Sequence, residues 1–194
     1  MKRVLAQQLP EFYHTDLTFQ TLATLGGLTS TRSGPFQVIS TSFRNQTVIK
    51  ARWFLTGSSG WSDYAISADA IVTSSSGVVG LLAWATHLDN APKGITRYTT
   101  AIDSNRGDFT LYKGGDKGAT TLSSKPVPGG IQASQKYHLS LSVKSTTRFA
   151  TVTGSGGAKT NLSVTDNGLG RGMAGLFGSY GSGGFSNVQI QSEA

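Results

Sequence analysis

The sequence contains no cysteine, which excludes disulfide bonds and thiolate metal sites and leaves the redox compartment undefined. Glutamate is almost absent too, because the two that occur, Glu11 and Glu193, lie near the ends of the 194-residue chain. Helix surfaces depend on Glu, Lys, Arg and Ala, so the chain interior has little material for them. No run approaches the ~18 apolar residues of a membrane-spanning helix. These absences favour a β protein.

Clustered charge is also lacking. The formal net charge is +7, but lysine and arginine occur singly, with no basic run longer than Lys2-Arg3. A nucleic-acid-binding face usually concentrates its positive charge, so the sequence argues against nucleic acid as a partner. A positive balance is also compatible with an acidic polysaccharide or an anionic membrane surface.

The stretch from Trp61 to Ala85 is the one around which the rest of the chain is organised. Its first half alternates, and the apolar residues of 64–72 share one face of a predicted strand. Small polar residues and Gly77 then turn the chain, and residues 78–85 are apolar on both faces, as in a strand inside a two-layer protein. We predict a hairpin of one half-exposed and one buried strand.

Similar patterns recur along the chain. Residues 136–144 alternate most clearly, with Tyr137, Leu139, Leu141 and Val143 predicted to face the core. Further strands are predicted at 36–43, 47–55, 96–103, 108–113, 147–153, 161–165, 173–178 and 185–190. Eleven or twelve strands at this spacing predict an all-β fold, a single-domain jelly-roll β-sandwich of two antiparallel sheets. We assign residues 1–14 to an N-terminal arm and 15–194 to the sandwich domain.

Several motifs occur in an order that is typical of one superfamily. They read W-S-D-Y (61–64), G-V-V-G-L-L-A (77–83), K-Y-H-L-S-L-S-V (136–143), R-G-M-A-G-L (171–176) and G-F-S-N-V-Q-I (184–190). Over about residues 36–190 the chain resembles the concanavalin A-like lectin/glucanase superfamily. More narrowly, it is similar to laminin-G-like carbohydrate-binding modules and to the lectin-like domain of galactocerebrosidase-type enzymes. The resemblance implies a lectin-like jelly roll that binds glycans.

The same resemblance bears on cofactors. Relatives commonly close with F-D-N-V, in which the Asp helps to hold a structural calcium, and Ser186 stands in that place here. We therefore expect no cofactor, with a structural calcium left as the alternative.

Catalysis has little support in the residues. Glucan-hydrolysing members of the superfamily carry an E-x-D-x-E motif, which this sequence lacks. The carboxylate pair that remains as a candidate is Asp63 with Asp103. A polysaccharide lyase is a further alternative, since strand parity allows His138, Arg97 and Tyr112 to lie on one outward sheet face. The sequence leans against an enzyme, and no catalytic residue is assigned.

Glycan binding requires an exposed aromatic ring that stacks on a sugar, together with polar groups that bracket its hydroxyls. Trp61 lies at the mouth of a loop and is the predicted stacking residue, while Trp53 and Trp84 are interpreted as core residues. We expect the sugar on one sheet or on the loop edge formed by 56–61 and 86–94. The residues predicted to bind hydroxyls or a carboxylate there are Asp63, His87, Asp89, Asn90 and Arg97.

The expected partner is therefore a polysaccharide or glycan, and the chain is expected to work within a larger glycoside-active enzyme or a surface assembly. The N-terminus lacks the 7–15-residue apolar core of a signal peptide. We expect an extracellular, virion or cell-surface location. The alternative is a structural or adhesion protein of a virion or surface that uses the arm 1–14 to form homo-oligomers.

Overall fold

The computed structural model describes residues 4–5, 37–40, 52–86, 96–115, 118–179 and 183–193. Within these residues, no helix is long and apolar enough to cross a membrane. The strands of this part of the chain are β1 (Val4–Leu5), β2 (Gln37–Ser40), β3 (Arg52–Thr56), β4 (Tyr64–Val72), β5 (Val78–Thr86), β6 (Thr96–Asp103), β7 (Asp108–Gly115), β8 (Gly118–Pro126), β9 (Lys136–Lys144), β10 (Thr147–Thr153), β11 (Lys159–Thr165), β12 (Met173–Ser179) and β13 (Gly183–Ser192).

The strands form two antiparallel sheets. The six-stranded sheet has the order β1-β13-β4-β9-β10-β11, and the seven-stranded sheet has the order β2-β3-β12-β5-β6-β7-β8. The core lies between the sheets and is built from the inward residues of both. This arrangement confirms the predicted all-β sandwich of two antiparallel sheets.

The predicted strand faces are confirmed where the sequence alternates. In β4, the five residues from Tyr64 to Val72 at every second position are buried and those between them are half-buried. In β9, Tyr137, Leu139, Leu141 and Val143 are buried, and β5 is buried on both faces over most of its length. Because side chains alternate with a period of two, the faces of a strand follow from local sequence alone.

The predicted hairpin of β4 and β5 is wrong. The two strands belong to different sheets: β4 lies between β13 and β9, and β5 lies between β12 and β6. The connection 73–77 therefore crosses from one layer to the other, across a gap of ~10 Å. Apolar alternation shows which side chains of a strand are buried, but it does not identify the neighbouring strand.

Strand β8 is absent from the predicted strands. Its residues are mostly Thr, Ser, Gly and Ala, and they are exposed or half-buried throughout. The strand is the edge of the seven-stranded sheet and pairs with β7. An edge strand that contributes little to the core needs no apolar alternation, so the usual sequence signal is missing.

Part of the predicted arm belongs to the sandwich. Val4 and Leu5 form β1, which pairs with Ile190 and Gln189 of β13. The other residues of 1–14 lie outside the described part of the chain, so the boundary between arm and domain stays a prediction.

A bulge near the end of β5 directs two consecutive residues into the core. Trp84 has a φ of 48°, which is unusual for a bulky residue, and the pairing register of β5 with β6 shifts between Ala83 and Thr86. As a result Ala83 and Trp84 both lie in the core. The Trp84 backbone N–H donates to the Tyr64 hydroxyl at 2.8 Å, and its indole N–H donates to the Ser62 carbonyl at 2.5 Å.

A buried arginine joins the two sheets. The side chain of Arg148, on β10, is fully buried, and its guanidinium carbon lies 4.0 Å from the ring centroid of Trp84 and 4.5 Å from that of Tyr98. Both aromatic residues belong to the opposite sheet, so the cation–π contacts span the core. The guanidinium also donates hydrogen bonds to the carbonyls of Ser145, Thr147, Asp166 and Leu169.

We predict that Arg148→Ala lowers the free energy of unfolding by about 3 kcal/mol or more, since it leaves several buried carbonyls without donors and removes both cation–π contacts. Urea unfolding followed by tryptophan fluorescence measures the change. The matched control is Arg171→Ala, which removes an exposed arginine and should change stability by less than ~0.5 kcal/mol. Equal effects of the two substitutions would contradict the role of Arg148.

Candidate functional site

The topology brings three of the predicted site residues to one end of the sandwich. The connections 57–63, 145–146 and 166–172 lie at this end, as do the start of β6 and the end of β7; we call it the loop end. Trp61, Asp63 and Arg97 all lie there. The remaining predicted residues, His87, Asp89 and Asn90, lie outside the described residues, as does most of the predicted edge 86–94.

Trp61 does not present its ring to solvent. Its relative exposure is 6%, and the ring packs edge-on against Tyr64 with centroids 5.8 Å apart. Gly57 passes so close to the ring that a Cβ there would lie 2.3 Å from it. Stacking requires an exposed ring face, so the burial of Trp61 does not favour the predicted stacking role, which stays a prediction. The interpretation of Trp84 as a core residue is confirmed, and the side chain of Trp53 lies outside the described residues.

Asp63 and Arg97 both make contacts within the fold. Asp63 Oδ1 accepts a hydrogen bond of 2.8 Å from the backbone N–H of Ser145, which holds the turn between β9 and β10. Arg97 is half-buried, and its guanidinium lies against Gly114 of the neighbouring strand. Burial lowers the pKa of Arg97 to about 10, so the side chain remains charged at neutral pH. Ligand binding by either residue stays a prediction.

A polar cluster at the loop end secures the segment after β11. The Asp166 carboxylate accepts hydrogen bonds from the Tyr98 hydroxyl, from Lys113 Nζ at 2.8 and 3.1 Å, and from the Gly168 N–H at 2.7 Å. Burial alone would raise the pKa of Asp166, but these bonds outweigh it and lower the pKa to about 2. Burial and the bond to Asp166 raise the pKa of Tyr98 to about 12. Both groups are used to hold the loop in place.

The outer face of the six-stranded sheet carries an exposed aromatic residue. Phe149 on β10 is 40% exposed, and it is the exposed large hydrophobic residue of the described part of the chain. It is paired with Ser142 on one side and Ser163 on the other, so the ring lies among small hydroxyl side chains. These neighbours are smaller than the ring, and the ring remains partly exposed to solvent.

A second group on this outer face is built around Asp69. Its Oδ1 lies 2.8 Å from Nδ1 of His138, and its Oδ2 accepts a hydrogen bond of 2.7 Å from the Asn187 side-chain amide. Burial raises the pKa of Asp69, but the bonds from His138 and Asn187 and the nearby charges of His138 and Lys136 lower it overall. His138 is half-exposed, so its second nitrogen remains accessible.

Asn187 reaches Asp69 because the backbone of β13 is irregular there. The register of β13 against β4 shifts between Ser186 and Gln189, and Asn187 has a φ of 53°. Asparagine is one of the few residues that adopt this left-handed conformation readily. Bulges of this kind are frequent beside functional sites because they direct a side chain toward one.

The outer face of the seven-stranded sheet is closed at its centre. The residues that point outward there are buried: Leu55, Leu82, Thr99, Ala101 and Thr110. On β3, β5, β6 and β7 these residues occupy the positions that alternate with the inward-facing core residues. Within the described residues, the sheet whose central strands offer exposed polar and aromatic groups is therefore the six-stranded one.

The catalytic arrangements considered for the sequence are not formed. His138 lies in the six-stranded sheet, whereas Arg97 and Tyr112 lie in the seven-stranded sheet, so the three do not share a face. Asp63 is at the loop end and Asp103 at the opposite end of β6, ~25 Å away along an eight-residue strand. Acid–base hydrolysis needs carboxylates within about 10 Å of each other.

Within the described residues, no group of three or more His, Cys, Asp or Glu side chains is placed to hold a metal ion. Ser186, at the position where relatives have an aspartate, is buried in β13 beside the Asn187 bulge. A structural calcium stays a prediction.

Two residues of the outer face were missed in the sequence. Phe149 was missed because its neighbour Arg148 points into the core. Alternation leads one to expect an apolar residue at an inward position and a polar one at an outward position, and here the two are exchanged. Asn187 was missed because its conformation depends on a bulge, for which the sequence S-N-V-Q gives no specific signal.

No family model matches the chain, and no curated protein matches it. Several solved structures, however, match the fold of the chain. The carbohydrate-binding module CBM66 from Bacillus subtilis is 15% identical, with a TM-score of 0.66 over 81% of this chain and 95% of that one. The VIP36 exoplasmic/lumenal domain in its Ca²⁺/Man3GlcNAc-bound form is 9% identical, with a TM-score of 0.55 over 82% and 83% of the two chains.

A third similar structure is a GH43 protein, BlXynB from Bacillus licheniformis. It is 10% identical, with a TM-score of 0.53, and the match covers 75% of this chain and 33% of that one. At these identities the likeness concerns the fold. Together the three structures confirm the fold, a β-sandwich of two antiparallel sheets, that was predicted from the sequence.

We predict that Trp61→Ala destabilises the protein by about 3–5 kcal/mol, because it leaves a large cavity beside Tyr64 and Gly57. Thermal unfolding and urea unfolding measure the loss. Trp61→Phe fills part of the space and should cost less. A variant that keeps its stability but loses glycan binding would instead restore the stacking role.

The Asp166 cluster predicts a pH dependence of stability. The folded-state pKa of about 2 lies below the ordinary value of 3.8, so the ionised carboxylate stabilises the fold above pH 3.8. That contribution is lost as the pH falls through about 2. In Asp166→Asn we expect lower stability at neutral pH and a smaller further loss between about pH 5 and pH 2. Urea unfolding at a series of pH values tests this; parallel pH profiles for both proteins would contradict it.

Proposed function

We propose that the protein is a non-catalytic glycan-binding module and that the glycan binds on the outer face of the six-stranded sheet. The observation that carries the proposal is the exposed ring of Phe149, which is paired with Ser142 and Ser163 on the neighbouring strands. Aromatic rings bind sugars through the C–H face of the pyranose, and surrounding polar groups fix the hydroxyls. Both components are present on this face.

The polar groups extend from Phe149 along β9. Ser142, Ser140 and His138 point outward at successive alternate positions, and Ser142 lies directly beside Phe149. His138 is four residues from Ser142, a distance of ~13 Å along the strand. This length suits an oligosaccharide or polysaccharide segment better than a single sugar.

The neighbouring strands complete the surface. Asn161 and Ser163 of β11 are exposed on the far side of Phe149, and Asp69 and Asn187 lie at the other margin. Hydroxyl, amide and imidazole groups are all of the type that bracket sugar hydroxyls. These groups come from β4, β11 and β13 and flank the row of polar residues on β9.

The similar structures support this proposal at the level of the fold. One of them is a carbohydrate-binding module, and another was solved with Man3GlcNAc and Ca²⁺ bound. The GH43 protein is about three times as long as the matched part, which supports a role for such a domain within a larger protein. We propose the same context for this chain, either a glycoside-active enzyme or a surface assembly.

The loop end is the less favoured location. It retains Asp63 and Arg97, but its tryptophan Trp61 is buried and Asp63 is engaged with Ser145. A site there lacks the exposed aromatic ring that the sheet face supplies within the described residues.

Phe149→Ala is the test of the proposed function. A glycan array identifies a bound glycan, and isothermal titration then compares variants on that glycan. We expect the substitution to weaken binding about tenfold, since it removes the apolar area that the sugar covers and an aromatic contact contributes about 0.5–1.5 kcal/mol beyond that burial. Stability should change little, because the ring is already partly exposed.

Phe149→Tyr is the matched control, since it keeps the ring and should retain binding within about threefold. Wild-type affinity in Phe149→Ala would place the site elsewhere, and no binding to any array glycan by the folded protein would contradict the function itself.

A further inference from the structure

We propose that the glycan is an acidic polysaccharide and that its carboxylates bind at one end of the outer face, beside Lys136, His138 and Lys159. We call this end the basic end. The inference rests on the proposed glycan-binding function and adds the chemical class of the ligand.

The strand register places the basic residues together. Asp69, His138, Thr153 and Lys159 lie opposite one another on β4, β9, β10 and β11, in a single row across the sheet. With strands ~4.8 Å apart, the backbones of His138 and Lys159 are ~10 Å apart. Lys136 precedes His138 by two residues and therefore points to the same side, where it is exposed.

The acidic residue of this row is engaged within the protein. One Asp69 oxygen contacts His138 and the other accepts a hydrogen bond from Asn187. Lys136 lies near Asp69, and its charge offsets that carboxylate. Lys159 then leaves one net positive charge at this end, which an anionic ligand meets beside the outer edge of His138.

Asp69 also orients the imidazole. Because Nδ1 of His138 is held at 2.8 Å from Asp69, the opposite nitrogen points away from that carboxylate and is available to a ligand. The charged groups that face His138 are Asp69 from β4 and Lys136 from its own strand, while β10 presents Thr153, which does not titrate. An oriented imidazole between two lysines is suited to a carboxylate acceptor.

Elsewhere on the face both signs occur. Lys144, at the opposite end of β9, is exposed, and Lys125 Nζ reaches the backbone carbonyl of Asn161 at 3.0 Å. Two carboxylates lie toward the Lys144 end: Glu193 is hydrogen-bonded to Ser142 at 2.7 Å and Asp63 to the Ser145 N–H at 2.8 Å. A chain of uronate sugars laid along β9 would therefore have its rings near Phe149 and its carboxylates at the basic end.

The experiment compares matched polymers. Polygalacturonate, alginate and hyaluronate are each titrated against the protein together with their methyl-esterified forms, which keep the sugar backbone and remove the charge. We expect at least one uronate polymer to bind about tenfold more tightly than its ester, with an affinity that falls as salt rises from low to physiological concentration.

Charge variants locate the site. Lys159→Gln should weaken binding of that polymer about threefold to fivefold, as expected for a partly exposed ion pair. Arg171→Gln is the matched control, because it removes one exposed positive charge at the loop end, outside the outer face. We expect that control to change affinity by less than about 1.5-fold.

The outcomes separate this inference from the proposed function. Equal affinity for a polymer and its ester, equal weakening by both charge variants, or tighter binding of a DNA oligonucleotide would overturn the acidic-glycan inference. Binding of a neutral array glycan that depends on Phe149, with none of the uronate polymers bound, overturns the inference and leaves the proposed function standing. If the folded protein binds neither kind of glycan, both are overturned.

Discussion

The guanidinium of Arg148 is the group on which the packing of the two layers depends. A charge removed from water is stable only where other groups replace the lost hydration. Here four carbonyl oxygens from the β9–β10 turn and the segment after β11 do so, and the faces of Trp84 and Tyr98 cover the cation from the other sheet. Because these groups belong to separate elements, they can satisfy the cation together only when both sheets and the loop are in place.

This requirement explains the form of the loop end. Trp84 must turn inward to meet the cation, which produces the bulge in β5 and brings the Trp84 N–H to Tyr64. Gly172 then passes so close to the Trp84 backbone that a Cβ would lie 2.3 Å from it. Trp61 closes the same region from the side of Tyr64. The loop end is thus a packed part of the core, and its aromatic residues are unavailable to a ligand.

Structural features that depend on residues close in sequence were predicted correctly, whereas features that depend on contacts between distant residues were not. The buried faces of β4 and β9 follow from a period of two, and the lectin-like fold follows from the order of several short motifs. The assignment of β4 and β5 to different sheets does not, because a connection of five residues can close a hairpin or cross a layer. Likewise, a charged residue such as Arg148 is expected to face solvent, which would place its neighbour Phe149 in the core. Arg148 is buried instead because it contacts residues up to 64 positions away.

The outer face combines features that mean little singly. One exposed phenylalanine on a β-sandwich is ordinary, and so is one surface aspartate–histidine pair. Asn187 changes that assessment, because its backbone lies in a bulge with a φ of 53° and its side-chain amide donates to Asp69. Asp69 in turn orients His138, so residues from β13, β4 and β9 act on one exposed imidazole. A bulge that fixes the direction of a solvent-facing group is explained better by a ligand at that group than by the stability of the sheet.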